Sequence, residues 1–542
     1  MTALLAIRDL TVRLPPRGDR DFALQGVSLS LDRGEILCVV GESGSGKSLL
    51  AGTIMRLLPP GIAVAGGNLR LAGEDLLALP EAAMRRIRGA RIAMIFQEPM
   101  TALNPLRRIG DQIGEMFRIH TRLSRAAIEE RALALLTEVR LPDPRAALQA
   151  YPHELSGGQR QRAMIAMALA LEPDVIVADE PTTALDVTTQ AQILALVRDL
   201  QRRRGTAVLF ITHDFGVVAE IADRVAVMQH GRLVESGTAD AVLNRPGHPY
   251  TRSLIAAVPP LHAAPRPPLP PGTPAVLRIE GVSKTYRRSG WFGRGGPETR
   301  AVADVTLSLP RGGTLGIVGE SGSGKSTLAR CVMRLLRPET GRIRLGDTEL
   351  LSLPATAWRR ETHRIQMVFQ DPYASLNPRR RAGDLVAQGP ILHGVPRAEA
   401  MARARALFEL VGLSPDSLGR FPHEFSGGQR QRIGLARALA LRPEVLVADE
   451  AVSALDVSVQ AQVLRLLADL QKRLGLSLLF ITHDLRVAAQ ICDRIAVMRD
   501  GHVVEEGTAE QVFGAPRNEY TRTLLASVPG QAWVPPVVAE LA

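Results

Sequence analysis

The chain has 542 residues, 46% of them hydrophobic and 22% charged, with a formal net charge of +11. That length exceeds one ordinary core, and that balance excludes an intrinsically disordered chain. No run approaches the ~18 uninterrupted apolar residues of a spanning helix, which excludes a membrane-embedded chain. Lysine occurs only at Lys47, Lys284, Lys325 and Lys472, so the basic excess is arginine spread along the chain. It forms no stripe, and no nucleic-acid partner is expected. Arg8 and Asp9 stand where a signal peptide needs its apolar stretch, so the chain is expected to stay in the cytoplasm. Cys38, Cys331 and Cys492 are isolated, with no metal-ligand spacing, and read as buried thiols.

In chain order, the first half opens with a short apolar run, Ile36–Val40, which predicts a strand buried on both faces. It runs into GESGSGKS at Gly41–Ser48, and a helical pattern follows. IFQEPMTALNP comes next at 95–105, then YPHELSGGQRQR at 151–162, where Ser156-Gly157-Gly158-Gln159 opens another helical pattern. Val175–Ala178 and Val208–Ile211 predict two more buried strands, the first ending in Asp179-Glu180 and the second in Thr212-His213. HPYTRSL at 248–254 closes the half, and residues 259–274, PPLHAAPRPPLPPGTP, predict an extended, semi-rigid surface spacer.

Everything then repeats at an offset of roughly 270 to 280 residues, a domain-sized period and not a solenoid one. Leu315–Val318 leads into GESGSGKS at Gly319–Ser326; VFQDPYASLNP occupies 368–378 and FPHEFSGGQRQR 421–432. Val445–Ala448 ends in Asp449-Glu450, Leu478–Ile481 in Thr482-His483, and NEYTRTL sits at 518–524. Pro396 opens a helical pattern with Met401, Leu407, Phe408 and Val411 on its apolar side, and Gly412 stops it. The fold class is α/β, with helices covering largely parallel sheets, in two tandem copies: domain one at 1–258, the linker at 259–274, domain two at 275–542.

GxxxxGK[ST] between a strand and a helix is a P-loop. Gly41, Ser43, Gly44 and Gly46 in one copy, and Gly319, Ser321, Gly322 and Gly324 in the other, let backbone N–H groups approach phosphate closely. Lys47 and Lys325 are placed to reach the β- and γ-phosphates; Ser48 and Ser326 to hold Mg²⁺, with Leu49 and Thr327, next in the helix start, also candidate nucleotide-binding residues. Asp179 and Asp449 are candidate Mg²⁺ ligands, and Glu180 and Glu450 candidate bases for the attacking water. His213 and His483 are candidate contacts to the γ-phosphate, and Gln97 and Gln370 candidate sensors of Mg²⁺ and water. Ser156–Gln159 and Ser426-Gly427-Gly428-Gln429 form second anion-facing helix starts, which a domain with its own P-loop needs only for a further ligand contact.

P-loop, Gln, SGGQ, Asp-Glu, ALD and His, in that order and twice over, resemble the nucleotide-binding domains of ABC transporters, and the likeness spans nearly the whole chain. The resemblance implies a RecA-like core, an antiparallel β subdomain and a helical subdomain per copy, binding ATP and Mg²⁺. It further implies head-to-tail pairing, so that one site joins Lys47, Ser48, Gln97, Asp179, Glu180 and His213 to Ser426–Gln429. The second joins Lys325, Ser326, Gln370, Asp449, Glu450 and His483 to Ser156–Gln159, with Asp186 and Asp456 linking the two. VFQDPYASLNP, PHEFSGGQRQR and PYTRSL narrow the likeness to the peptide/nickel importer subfamily, whose duplicated members resemble this chain, the microcin-type peptide importer ATPase most of all.

The resemblance implies two integral-membrane permease subunits and a solute-binding protein as partners, and a place on the cytoplasmic face of the inner membrane. Many unfused relatives carry a cysteine cluster for an iron–sulfur group; none is present after either copy, and no cluster is expected. Tyr286 matches the family's adenine-stacking aromatic, whereas the first half has Leu14 there, with Phe22 the nearest substitute. Ala451 replaces the residue matching Pro181. The alternative is a soluble ABC ATPase of translation or DNA repair; the weakly charged linker and the lack of paired cysteines speak against it.

Overall fold

The computed structural model describes residues 3–15, 20–183, 185–263, 266, 269–270, 272–289, 295–371, 375–452 and 455–536. It divides into two compact units, Met1–Val258 with Val528–Ala542, and Pro259–Ser527.

In the first unit, β1 (Leu5–Arg13), β2 (Phe22–Leu31), β4 (Ala63–Leu71) and β5 (Glu74–Asp75) form an antiparallel sheet ordered β2-β1-β4-β5. A six-stranded sheet is ordered β10-β9-β3-β8-β7-β6, from β3 (Ile36–Val40), β6 (Ile92–Ile95), β7 (Val175–Asp179), β8 (Ala207–Ile211), β9 (Arg224–Gln229) and β10 (Arg232–Thr238). All its pairs are parallel except β9–β10. The predicted strands appear within a residue of their expected bounds. Every residue of β3, β7 and β8 is buried, as layers on both faces require. Leu37 and Val39 of β3 join Leu50, Ala51 and Ile54 of the helix Lys47–Ile54 and Leu5, Ile7 and Leu24 of the antiparallel sheet in one core. Burying each such Leu or Ile contributes about 1.5–3 kcal/mol, so the helix that follows the P-loop is clamped from two sides.

The second unit repeats the plan. Its antiparallel sheet is ordered β12-β11-β14-β15, from β11 (Ala275–Ser289), β12 (Gly295–Pro310), β14 (Thr340–Leu345) and β15 (Thr348–Glu349). Its six-stranded sheet is ordered β16-β17-β18-β13-β19-β20, from β13 (Thr314–Val318), β16 (Ile365–Val368), β17 (Val445–Asp449), β18 (Ser477–Ile481), β19 (Arg494–Arg499) and β20 (His502–Thr508). Helices inserted between β6 and β7, and between β16 and β17, make a helical subdomain in each unit, ending in Gly157–Leu169 and Gly427–Leu439. The helix opened by Pro396 spans Arg397–Leu410, with Gly412 in the left-handed region just beyond. Cys38, Cys331 and Cys492 are free and buried.

Candidate nucleotide site

A parallel sheet aims all its carboxyl ends at one edge, and ligands bind beyond that edge. Here β3 ends in the P-loop, β7 in Asp179-Glu180, β8 two residues before His213 and β6 two residues before Gln97. In the second unit β13, β17, β18 and β16 deliver the second P-loop, Asp449-Glu450, His483 and Gln370 in the same way. The sheet order thus assembles residues that are far apart in sequence.

The P-loop curls because its glycines take backbone that other residues avoid. Gly46 and Gly324, at the helix N-caps, have φ of 104° and 102°. A methyl group there would stand 2.8 Å from the Ala23 carbonyl oxygen and 2.0 Å from that of Ala301. Inside the curl, the Lys47 ammonium donates to the Gly41 and Glu42 carbonyls at 2.7 and 3.0 Å. Lys325 donates to Gly319 and Glu320 at 2.8 and 2.7 Å. Both lysines are buried, which fixes a positive charge among backbone N–H groups at a helix start.

Ser48 Oγ donates to Asp179 Oδ1 at 3.1 Å, and Ser326 Oγ to Asp449 Oδ1 at 2.9 Å. Burial raises both aspartates above their ordinary range; the serine hydrogen bond opposes this, while the neighbouring glutamate's charge adds to it. A hydroxyl and a carboxylate oxygen side by side, with the carboxylate short of positive charge, fit a hard divalent cation that keeps most of its waters.

Glu180 and Glu450 are held in the left-handed region, with φ of 46° and 48°. Their amides donate to the Ile211 and Ile481 carbonyls at 3.0 and 2.9 Å, which pins the turn. Glu180 Oε2 accepts from Gln97 Nε2 at 3.0 Å and Thr183 Oγ1 at 3.0 Å, and lies 3.3 Å from His213 Nδ1. Glu450 Oε2 accepts from Gln370 Nε2 at 2.7 Å and lies 3.4 Å from His483 Nδ1. Burial pushes both carboxyls up, but the histidine's hydrogen bond and charge, with the P-loop lysine's charge, outweigh it and hold each below the usual carboxylate range. Each site therefore keeps an ionised carboxylate next to a buried cation, oriented by a glutamine and a histidine. That is the equipment of a general base for water.

Ser156 and Ser426 cap the helices Gly157–Leu169 and Gly427–Leu439, accepting from Gln159 N and Gln429 N, each at 3.3 Å. The serine amides in turn donate to Gln159 Oε1 and Gln429 Oε1 at 2.9 and 3.0 Å. Ser156, Gly157, Ser426 and Gly427 are exposed, so both helix starts face solvent. Asp186 caps its own helix, accepting from Thr189 N at 2.9 Å. Leu14 packs on the first unit's core and Phe22 lies 5.7 Å beneath the Arg13 guanidinium, while Tyr286 is exposed. Thr183 has no sequence signature, because one hydroxyl in a turn carries no signal of its own. Tyr250 and Tyr520 belong in sequence only to the repeated tail; their hydroxyls accept from the P-loop amides of Glu42 and Glu320 at 3.1 and 3.2 Å.

The ABC transporter family model matches residues 24–183 and 302–453, and the C-terminal region of oligopeptide/dipeptide transporters matches 234–290 and 504–532. A glutathione import ATP-binding protein of Escherichia coli O157:H7 is 48% identical over 562 residues, spanning 97% of this chain and 89% of that protein. Its counterpart from Salmonella choleraesuis is 47% identical over 557 residues, with the same coverage. A solved dimeric ATP-binding cassette with ADP and phosphate is 29% identical, covering 43% of this chain and 98% of its own at a TM-score of 0.40. The chain belongs to the ABC transporter family, as an ATP-hydrolysing subunit that carries two cassettes on one polypeptide.

Proposed function

We propose that this subunit powers an importer for glutathione or other short peptides, working through a permease of two integral-membrane proteins fed by a solute-binding protein. The observation that carries the hydrolytic half of this reading is the Glu-centred clamp, which in both cassettes joins the carboxylate to a glutamine and a histidine. The cargo class is supported by relatives named for glutathione import and by the oligopeptide/dipeptide C-terminal region. Among the described residues no helix is long and apolar enough to cross a membrane. The chain's place on the inner membrane's cytoplasmic face therefore rests on the permease. Leu106, 85% exposed nine residues beyond Gln97, offers such a partner an apolar foothold.

In the proposed cycle, each triphosphate is gripped by the P-loop of one cassette and the SGGQ helix start of the other. Lys47 and Lys325 hold its terminal phosphates, and the capped helix starts present N–H groups to them. Mg²⁺, held by Ser48 and Asp179 or by Ser326 and Asp449, with Gln97 and Gln370 beside it, would neutralise charge on the β- and γ-phosphates. Glu180 or Glu450 takes a proton from the attacking water, and His213 or His483 steadies that carboxylate. Loss of the terminal phosphate removes the shared anion, and the cassettes part.

Co-purification from native membranes tests the reading. Two integral-membrane proteins, and ATP-dependent uptake of labelled glutathione or a short peptide by vesicles containing them, are expected. Recovery with ribosomes and no membrane protein would refute it.

A further inference from the structure

Each cassette's last helix touches its own P-loop and then continues into a strap. Tyr250, in the helix Pro249–Ala256, accepts from Glu42 N; Tyr520, in Glu519–Ala526, accepts from Glu320 N. Tyr520 is also held 4.8 Å beneath the Arg499 guanidinium. The chain then reads Val258-Pro259-Pro260 in one copy and Val528-Pro529-Gly530 in the other.

These short segments lie on equivalent helices. In the unit Pro259–Ser527, Pro259 O accepts from Arg486 Nη1 at 3.4 Å and Pro260 O from Gln490 Nε2 at 3.0 Å. Arg266 adds bonds to Gln490 O and Asp493 Oδ1, both at 3.1 Å. The unit holding Met1–Val258 also holds Val528–Ala542, and there Gly530 N donates to Glu220 Oε2 at 3.3 Å. Gly216 is packed so tightly that a methyl group on it would stand 2.6 Å from the Pro529 carbonyl oxygen. Trp533 Nε1 donates to Asn244 Oδ1 at 3.0 Å.

The chemistry is matched position by position. Proline 260 has no N–H, and its helix partner Gln490 donates; Gly530 has one, and its partner Glu220 accepts. The receiving helices, Phe215–Ile221 and Leu485–Ile491, are capped by Asp214 and Asp484, the residues next to His213 and His483. The proline-rich stretch, expected as a surface spacer, is thus anchored at its start.

We propose that Tyr250 and Tyr520 are positioning residues, and that the straps following them relay the state of each P-loop to the helix that begins just after the other cassette's histidine. P-loop one acts through Tyr250 and Pro259-Pro260 on Leu485–Ile491. P-loop two acts through Tyr520 and Pro529-Gly530 on Phe215–Ile221. Only two residues separate Ala526 from Pro529, so the connection has little slack. The two sites then share a coupling free energy, and each changes the other's nucleotide affinity by the same factor. The inference rests on both cassettes binding ATP, and not on the cargo.

The test uses the full chain with Lys47→Ala, which confines ATP to cassette two, and reads amide hydrogen exchange across residues 215–221. Saturating ATP should change that exchange by roughly 2- to 30-fold. Adding Tyr520→Phe, or separately Glu220→Ala, should remove most of the response at ATP levels shown to be saturating by direct titration. A merely structural role for Tyr520 would alter exchange equally with and without ATP. An ATP response that survives both substitutions, or no response in the Lys47→Ala chain once ATP is bound, would overturn the relay. Absence of any ATP binding to that chain would refute the nucleotide sites themselves.

Discussion

Glu180 and Glu450 occupy backbone that costs a residue with a side chain of order 1–3 kcal/mol, at the turn that brings each carboxylate to its glutamine and histidine. Their proposed hydrolytic role predicts that Glu180→Gln together with Glu450→Gln lowers phosphate release by about 10²- to 10⁴-fold. Both clamps hold the carboxylate with a glutamine and a histidine, so the single variants should retain similar residual rates, and grossly unequal rates would show one site to be degenerate. The second clamp also predicts a pH signature. Burial opposes the charge on His483, but the Glu450 hydrogen bond and charge, with Asp484, outweigh it and raise its pKa above the ordinary 6.5. That contribution to stability is complete below 6.5 and fades as pH rises through the raised value. Glu450 lies below its ordinary 4.5, so its contribution is present above 4.5 and lost as pH falls through the depressed value. The pair is at full strength between those limits. Glu450→Gln should therefore lower Tm more at pH 6 than at pH 9; a difference independent of pH would rule out an ionic clamp.

At the scale of elements, the buried strands were legible because sandwiching between two layers demands unbroken apolar runs, and ILCVV and AVLFI have no other use. The antiparallel strands were not legible from periodicity. β1 shifts register between Ile7 and Leu10, between Leu10 and Val12, and between Val12 and Arg13, which breaks the two-residue alternation. They entered only through family likeness. The helix Lys47–Ile54 has eight residues and no side-chain cap, too short to stand by itself, so its position depends on Leu50 and Ile54 in the core. Leu50→Ala should cost about 2–5 kcal/mol in urea unfolding and weaken ATP binding at cassette one with it. Ser156→Ala removes the cap of a helix whose start faces solvent, and should cost about 0.5–2 kcal/mol.

At the scale of the whole molecule, the site was readable wherever a motif is local: P-loop, SGGQ, Asp-Glu and His each lie within a few residues. Contacts made across the fold were not. Tyr250 and Glu42 are 208 residues apart and Tyr520 and Glu320 are 200 apart, and no local pattern announces such a pair. Likewise a run of prolines shows that the chain is extended, and says nothing of the helix on which it rests.

In the proposed cycle each ATP is shared between the P-loop of one cassette and the SGGQ helix start of the other. ATP hydrolysis by the full chain with Lys325→Ala, which leaves only the first P-loop in use, tests this directly. Adding Ser426→Arg should lower the remaining rate by about 10²- to 10³-fold, the usual cost of losing a charge-stabilising donor, while Ser156→Arg should lower it far less. Loss of the rate with Ser156→Arg and its survival with Ser426→Arg would place each nucleotide within a single cassette and contradict the mechanism.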